Sequence, residues 1–337
     1  MEKKALLSEV IEHIDIKAID STSIIQAMGK MSFSSRDTAR AADILNRMIE
    51  DAECSIFLTI AGSTSAAGCM QVYVDMVRSN MVDAVVATGA SIVDMDFFEA
   101  LGFKHYRGSQ YVDDSMLRGQ QVDRIYDTYI DEKELQRCDQ TIKEIAGSLP
   151  AGIYSSRAFI HEMGRYLTKN AVKSESLVQA AFENDVPIFC PAFSDSSAGF
   201  GLCLHQEGKD RYVSIDSVRD FRELTEVKIQ AGKTGVFMIG GGVPKNFAQD
   251  TVVCAEVLGH QVDMHEYAVQ ITVADVRDGA CSSSTLREAN SWGKVSTSNE
   301  QMVYAEATTV LPLIASAVYH RGAWKGREKR RWNRLFT

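Results

Sequence analysis

Two hydrophobic periods run along this chain. From Thr38 to Ile49 apolar residues recur every three to four positions behind Ser34-Ser35-Arg36-Asp37, which predicts a helix. The first 50 residues as a whole mix acidic and apolar positions at helical spacing and predict a helical N-terminal extension. The pattern then changes. Ser55-Ile56-Phe57-Leu58-Thr59-Ile60 is a mostly apolar run rich in β-branched residues, as expected of a strand buried on both faces. Ala61-Gly62-Ser63-Thr64-Ser65 follows, and then a helical pattern reaching about Asn80. The unit recurs at Ala84-Val85-Val86-Ala87 before Thr88-Gly89-Ala90-Ser91, and at Pro187-Ile188-Phe189-Cys190 before a Ser/Gly-rich loop. It appears again at Val236-Phe237-Met238-Ile239 before Gly240-Gly241-Gly242. Repeated strand, turn and helix units predict an α/β fold with a doubly wound, mostly parallel sheet under helices on both faces.

Sheets of this kind receive ligands at the carboxyl ends of their strands, where glycine and serine loops meet helix N-termini. All four loops belong there. The chain has no Gly-x-Gly-x-x-Gly fingerprint, and the triple glycine by itself serves equally well as a tight turn. Five prolines and no Gly/Ser-rich linker leave no clean domain boundary. The expected organisation is the extension at 1–50, a single domain at 51–320 and a C-terminal tail at 321–337.

With 337 residues, 45% apolar and 24% charged, the chain can bury a large core. No apolar run approaches the roughly 20 residues that cross a bilayer, and the N-terminus lacks a signal-peptide core, so the cytoplasm is the expected address. Seven scattered cysteines without a Cys-x-x-Cys pair argue against a disulfide scaffold and a zinc site. His260 and His265 have no evident metal-ligand partner, and no metal is expected. The net charge is −9, but seven basic residues against Glu328 give the segment from Arg321 to Thr337 a charge of +6 and leave −15 on the rest. An acidic body attracts cationic ligands and repels nucleic acid. The tail reads as a solvated like-charge end. With Trp324 and Trp332 interleaved, it also reads as a contact for an acidic partner, a neighbouring subunit or RNA.

The chemistry concentrates at Asp278-Gly279, Glu288 and Ser291-Trp292-Gly293-Lys294. A lysine becomes a nucleophile only after losing a proton, and an apolar wall such as Trp292 penalises its charged form. Lys294 is therefore a candidate for a covalent imine, with two upstream carboxylates available to hold the cationic ends of a polyamine. The plain alternative is a solvated lysine after a tight turn.

From about Phe33 to Ile314 the chain resembles the deoxyhypusine synthase family. The resemblance rests on Trp292-Gly293-Lys294, Gly240-Gly241-Gly242-Val243, Pro191-Ala192-Phe193-Ser194-Asp195, Asn80-Met81-Val82-Asp83 and Tyr304-Ala305-Glu306, in that family's order. It implies a Rossmann-like, NAD-dependent enzyme that moves the aminobutyl group of spermidine through an imine on the active lysine. Lys294 aligns with that lysine. Asp278 and Glu288 align with polyamine anchors, and Trp292 would offer its ring face to the substrate cation. Gly62, Ser63, Thr88, Gly89, Ala90, Asp94, Asp195, Gly241, Gly242, Ser282 and Glu306 align with positions that touch the dinucleotide. Asp195 also reads as a helix N-cap.

Three positions depart from the family pattern. Asn246 replaces a histidine near the reacting amine, Cys281 stands where eukaryotic members carry an aspartate, and Glu306 replaces an aspartate. The first two point to a divergent, bacterial-type member whose acceptor is a small diamine such as putrescine, making a homospermidine synthase-like enzyme. The family's usual acceptor is a lysine of the hypusine-bearing translation factor. The resemblance further implies a homotetramer with sites between subunits. A non-catalytic NAD or polyamine sensor is the alternative of another class, but it has no need of an imine-forming lysine. An ordinary dehydrogenase lacks its glycine fingerprint here.

Overall fold

The computed structural model describes residues 2–278 and 284–336, so Cys281 and Ser282 lie outside the described residues. Its centre is a six-stranded sheet of β1 (Ser55–Ile60), β2 (Ala84–Ala87), β3 (Ile188–Phe189), β4 (Thr234–Ile239), β5 (His265–Thr272) and β6 (Val295–Tyr304). The spatial order is β3-β2-β1-β4-β5-β6, and every neighbouring pair is parallel. That is the order of doubly wound dinucleotide-binding sheets, in which the winding reverses between β1 and β4. Ile60 pairs with Ala87 on one side and Ile239 on the other, and Ile239 pairs with Ile271. Four turns therefore leave the sheet at one edge, beginning at Ala61, Thr88, Gly240 and, just past the end of β5, Val273.

Alternation along each strand sends side chains to two cores. On one face Ile56, Leu58, Ile60, Phe237, Val269 and Val303 pack with the helix Phe33–Glu50 and with the C-terminal helix Ala307–Arg321. On the other, Phe57, Val86, Val236, Met238 and Ala268 pack with the helices Ser217–Ala231, Gly242–Gln249 and Leu286–Ser291. The helix expected over Thr38–Ile49 extends to Phe33–Glu50. Its Leu45 and Met48 are fully buried, each stabilising the fold by roughly 2 kcal/mol. The segment between β2 and β3 adds an antiparallel sheet (105–107, 128–131, 122–125), and its strand 152–154 pairs in parallel with 213–215, which lies between β3 and β4.

The basic tail is not a solvated end. It lies along the amino edge of the sheet and finds its acidic partners within the chain. Arg327 forms a buried ion pair with Asp83 and donates to the carbonyls of Cys54 at 2.8 Å and Asn80 at 3.0 Å. Trp332 Nε1 donates to Ser55 Oγ at 3.3 Å, and Arg334 Nε donates to Asp185 Oδ2 at 2.7 Å. Asp83, just before β2, also accepts the amide of Ile56 at 2.7 Å. One carboxylate thus ties β1, β2 and the C-terminus together.

Four cysteines, Cys54, Cys69, Cys138 and Cys190, are buried and free. Burial pushes the thiols of Cys54 and Cys69 up to about 12, which leaves them inert at neutral pH. Among the described residues, no helix is long and apolar enough to cross a membrane and no His/Cys/Asp/Glu group could hold a metal ion.

Candidate functional site

At the carboxyl edge the reversal between β1 and β4 opens a cavity of about 320 Å³. Its floor is backbone. Gly62 (φ 84°) and Gly240 (φ 74°) occupy the left-handed region, and a Cβ on Gly240 would stand 3.0 Å from the carbonyl oxygen of Ala61. Gly62 is therefore required by its backbone angle, and Gly240 by both its angle and its close approach to Ala61. Ser63, Thr272, Ala305 and Glu306 complete the wall, and the helix starting at Gly242 opens from the turn that follows Gly240. A second cavity of about 870 Å³ shares Ala67, Tyr126, Asp127, Thr128, Glu306 and Thr308 with the first. The joined space has the scale of a cofactor site, and its glycine floor and helix N-terminus fit a pyrophosphate. A separate cleft of about 610 Å³ along Ser217–Ala231, lined by Arg219, Arg222, Glu226 and His260, holds none of the candidate catalytic, polyamine or dinucleotide residues.

The neighbouring turns join this rim. Thr88 Oγ1 lies 2.9 Å from Ser91 Oγ, which donates to the carbonyl of Gly62 at 3.1 Å. Gly89 stands so close to Ser196 that a Cβ would lie 2.7 Å from its Oγ. The amide of Ser197 donates to Asp94 Oδ1 at 2.7 Å. Burial pushes the Asp94 carboxyl up to about 6 despite that bond, and the charges of Asp139 and Asp195 add to the rise. Gly62, Ser63, Thr88, Gly89, Ala90, Asp94, Asp195, Gly241, Gly242 and Glu306 all lie on this edge.

Helix capping distinguishes two of these carboxylates. The N-cap of the helix Ser197–Gln206 is Ser196, whose Oγ accepts the amide of Ala198 at 3.2 Å, so Asp195 is not the cap. Glu306 is a cap. It accepts the amides of Thr308 at 3.0 Å and Thr309 at 3.1 Å at the start of Ala307–Arg321. Partial burial works to raise its pKa, but the bonds from Thr308 and Thr309 outweigh that and hold it below the usual range.

Lys294 lies elsewhere. It directly precedes β6, and its carbonyl accepts the amide of His265 at 2.9 Å, at the amino end of β5. The strand from His265 to Thr272 separates it from the crevice by about 23 Å at 3.3 Å per residue. The lysine of one chain cannot reach that chain's own crevice. Its side chain is not waving in solvent either. It is 15% exposed, with Nζ 2.5 Å from Asp250 Oδ1 and 5.3 Å from the centre of the Trp292 ring. Trp292 is 66% exposed, so the expected dry wall is instead an open aromatic plate.

The two expected polyamine anchors stand apart from each other. Glu288 belongs to a capping box: it accepts the amide of Thr285 at 2.5 Å, while its own amide donates to Thr285 Oγ1 at 3.2 Å. The Thr285 bonds hold its carboxyl below the usual range. Asp278 is exposed beyond the carboxyl end of β5, its amide donating to the carbonyl of Asp275 at 2.9 Å. Asp250, which sequence reasoning missed, pairs with the lysine. It sits at the junction of Gly242–Gln249 and Thr251–Val257 and its amide donates to the carbonyl of Asn246 at 2.8 Å, which puts Asn246 one turn from the pair. The Gln249-Asp250-Thr251 run looks like an ordinary helix junction, and nothing in it points 44 residues downstream.

A family model described as deoxyhypusine synthase matches residues 23–318. A deoxyhypusine synthase-like protein of Coxiella burnetii is 68% identical over 336 residues, covering 99% of this chain and 96% of that protein. One from Caulobacter vibrioides is 68% identical over 340 residues, covering 99% and 93%. A protein of Methanosarcina acetivorans described as "Probable deoxyhypusine synthase 2" is 36% identical over 309 residues, covering 91% and 89%. Among solved structures, one described as a putative deoxyhypusine synthase from Entamoeba histolytica superposes with a TM-score of 0.60 at 21% identity, covering 92% of this chain and 97% of that one. That last likeness concerns the fold.

Proposed function

The chain belongs to the deoxyhypusine synthase family, and from that premise we propose that it moves the aminobutyl group of spermidine through an imine on Lys294. NAD, when bound, would supply the chemistry of accepting a hydride and returning it. The glycine floor of Gly62 and Gly240 and the N-terminus at Gly242 would cradle its pyrophosphate, with Asp94, Asp195 and Glu306 facing its hydroxyls. Oxidation of the carbon beside the secondary amine of spermidine makes an imine. Lys294 Nζ adds to that carbon, propane-1,3-diamine leaves with its electron pair and a proton, and the four-carbon piece stays on the lysine. An acceptor amine then adds and Lys294 departs as the free amine before the hydride returns.

The observation that carries this reading is Lys294 held 2.5 Å from Asp250 beneath the open face of Trp292, immediately before the first residue of β6. Because the crevice of the same chain lies about 23 Å away along β5, the reading requires Lys294 of one subunit to face the crevice of another. A homotetramer with shared sites meets that requirement. Asn246, one turn from Asp250, stands where the family's histidine would move a proton, which favours a small acceptor such as putrescine over a protein lysine. The protein would work in the cytoplasm, without metal, nucleic acid or membrane.

The test is direct. Incubation with NAD and labelled spermidine, followed by borohydride, should tag Lys294, and Lys294→Ala should show no adduct. Parallel reactions with putrescine, agmatine or a hypusine-type protein acceptor identify the product by mass. Binding of NAD and spermidine without release of propane-1,3-diamine would favour the sensor reading instead.

A further inference from the structure

We propose that Asp250 and Trp292 form a recognition site for a substrate ammonium, which Lys294 fills with its own ammonium until the substrate displaces it. The inference rests on the reading of Lys294 as the imine-forming amine and names what switches that amine on.

The site has the two components that select an alkylammonium. One is the carboxylate of Asp250, which is 39% exposed, and the other is the indole of Trp292, which is 66% exposed. A cation within about 6 Å of an indole centre gains from the ring's negative face, and a carboxylate beside the ring adds a charge-assisted hydrogen bond. Lys294 Nζ meets both conditions, 5.3 Å from the ring and 2.5 Å from Oδ1. In the free chain the cation in the site is therefore the chain's own.

A structural role does not account for the pair. Asp250 heads the helix Thr251–Val257, yet its side chain makes no capping bond there. Ion pairs this open contribute little to stability. Their effect on chemistry is larger, because an ammonium against a carboxylate has no lone pair to offer an electrophile. A second ammonium on Asp250 changes that. It neutralises the carboxylate, repels the lysine's charge, and lets Lys294 release a proton to the water of the open site and stand as a neutral amine beside the substrate that needs it. Glu288, held in the capping box by Thr285, makes no such contact with the lysine.

The test uses the full chain and a neutral electrophile, so that neither NAD nor spermidine is involved. Butanal condenses with an amine, releasing water, and cyanoborohydride delivers hydride to the imine to leave butyl-lysine. The rate at Lys294 is read by mass against the other lysines of the same digest. Tetramethylammonium, which cannot form an imine, serves as the probe cation. The parent should be labelled slowly at Lys294 and several-fold faster with tetramethylammonium. Asp250→Asn should be labelled fast at the start and ignore the cation, Asp250→Glu should keep the response, and Trp292→Leu should need more cation for the same effect. Labelling of Lys294 that is indifferent to both tetramethylammonium and Asp250→Asn overturns the proposal, even where spermidine turnover is intact. Absence of turnover with the cation response present would sink the transferase reading alone. The Asn side chain is nearly isosteric and the site is partly open, and an unchanged circular dichroism spectrum confirms that the variant folds.

Discussion

At the carboxyl edge of the sheet the site is made of backbone, with Gly62 and Gly240 in the left-handed region and Gly240 so near Ala61 that a Cβ would stand 3.0 Å from its carbonyl oxygen. At the amino edge it is made of side chains, with Lys294, Asp250 and Trp292 brought together from two helix ends and a strand start. A floor of glycine turns is a local property, readable wherever a strand is followed by Gly and Ser. A charged cluster on facing elements is a tertiary property, and it exists only once β5 and β6 have paired. On the proposed reading the two edges would divide the reaction between binding and bond-making, and one chain holds them too far apart to carry out both on one substrate.

That separation can be broken experimentally by mixing. Lys294→Ala removes the amine from one edge, and Ser63→Trp fills the crevice at the other; each homo-oligomer should be inactive. When the two are co-assembled, random pairing puts an intact lysine opposite an intact crevice in about a quarter of sites, and roughly that share of activity should return. A mixture that stays inactive, with both variants shown to co-assemble, means that the edges never meet across subunits.

Two ion pairs on the amino edge sharpen the contrast further. Arg327 and Asp83 are 2% and 1% exposed, whereas Lys294 and Asp250 are 15% and 39% exposed. Arg327→Ala leaves Asp83 buried and unpaired and should cost about 3–5 kcal/mol. Asp250→Asn should change stability by less than about 1 kcal/mol. Urea denaturation distinguishes them, and equal losses would mean that the lysine pair is structural too.

The strands and glycine turns were legible because buried parallel strands are apolar end to end and their turns need glycine, so both signals are local. The tail was misread because a run of arginines looks solvated when its acids stand far away at Asp83 and Asp185. The Asp250 pair was invisible for the same reason, whereas the Thr285 to Glu288 capping box is spelled out in the sequence as Thr-x-x-Glu.

The carboxyl edge should also show its own pH signature. Asp94 titrates at about 6 in the folded chain against 3.8 for an ordinary aspartate, because burial favours its neutral form. The folded state therefore binds the proton more tightly, and the stability contributed by Asp94 is fully present below about pH 4 and lost as pH rises through about 6. Asp94→Asn removes that loss. The variant should gain on the order of 2 kcal/mol relative to the parent between pH 4.5 and pH 7.5, read by urea denaturation. A constant difference across that range would mean that Asp94 is ionised throughout.

The smallest effect separates two adjacent residues on the same edge. Ser196 caps Ser197–Gln206, so Ser196→Ala should lower stability by about 1 kcal/mol. Asp195, exposed and one residue outside the cap, should tolerate Asp195→Ala within about 0.5 kcal/mol. If it faces a ribose in the crevice, the same substitution should weaken NAD binding by calorimetry while Ser196→Ala does so only through the fold. A thermal shift at saturating NAD distinguishes the two: Ser196→Ala should move the free and bound proteins equally, and Asp195→Ala only the bound one. Loss of stability in Asp195→Ala comparable to that in Ser196→Ala would return Asp195 to the structural role that its neighbour performs here.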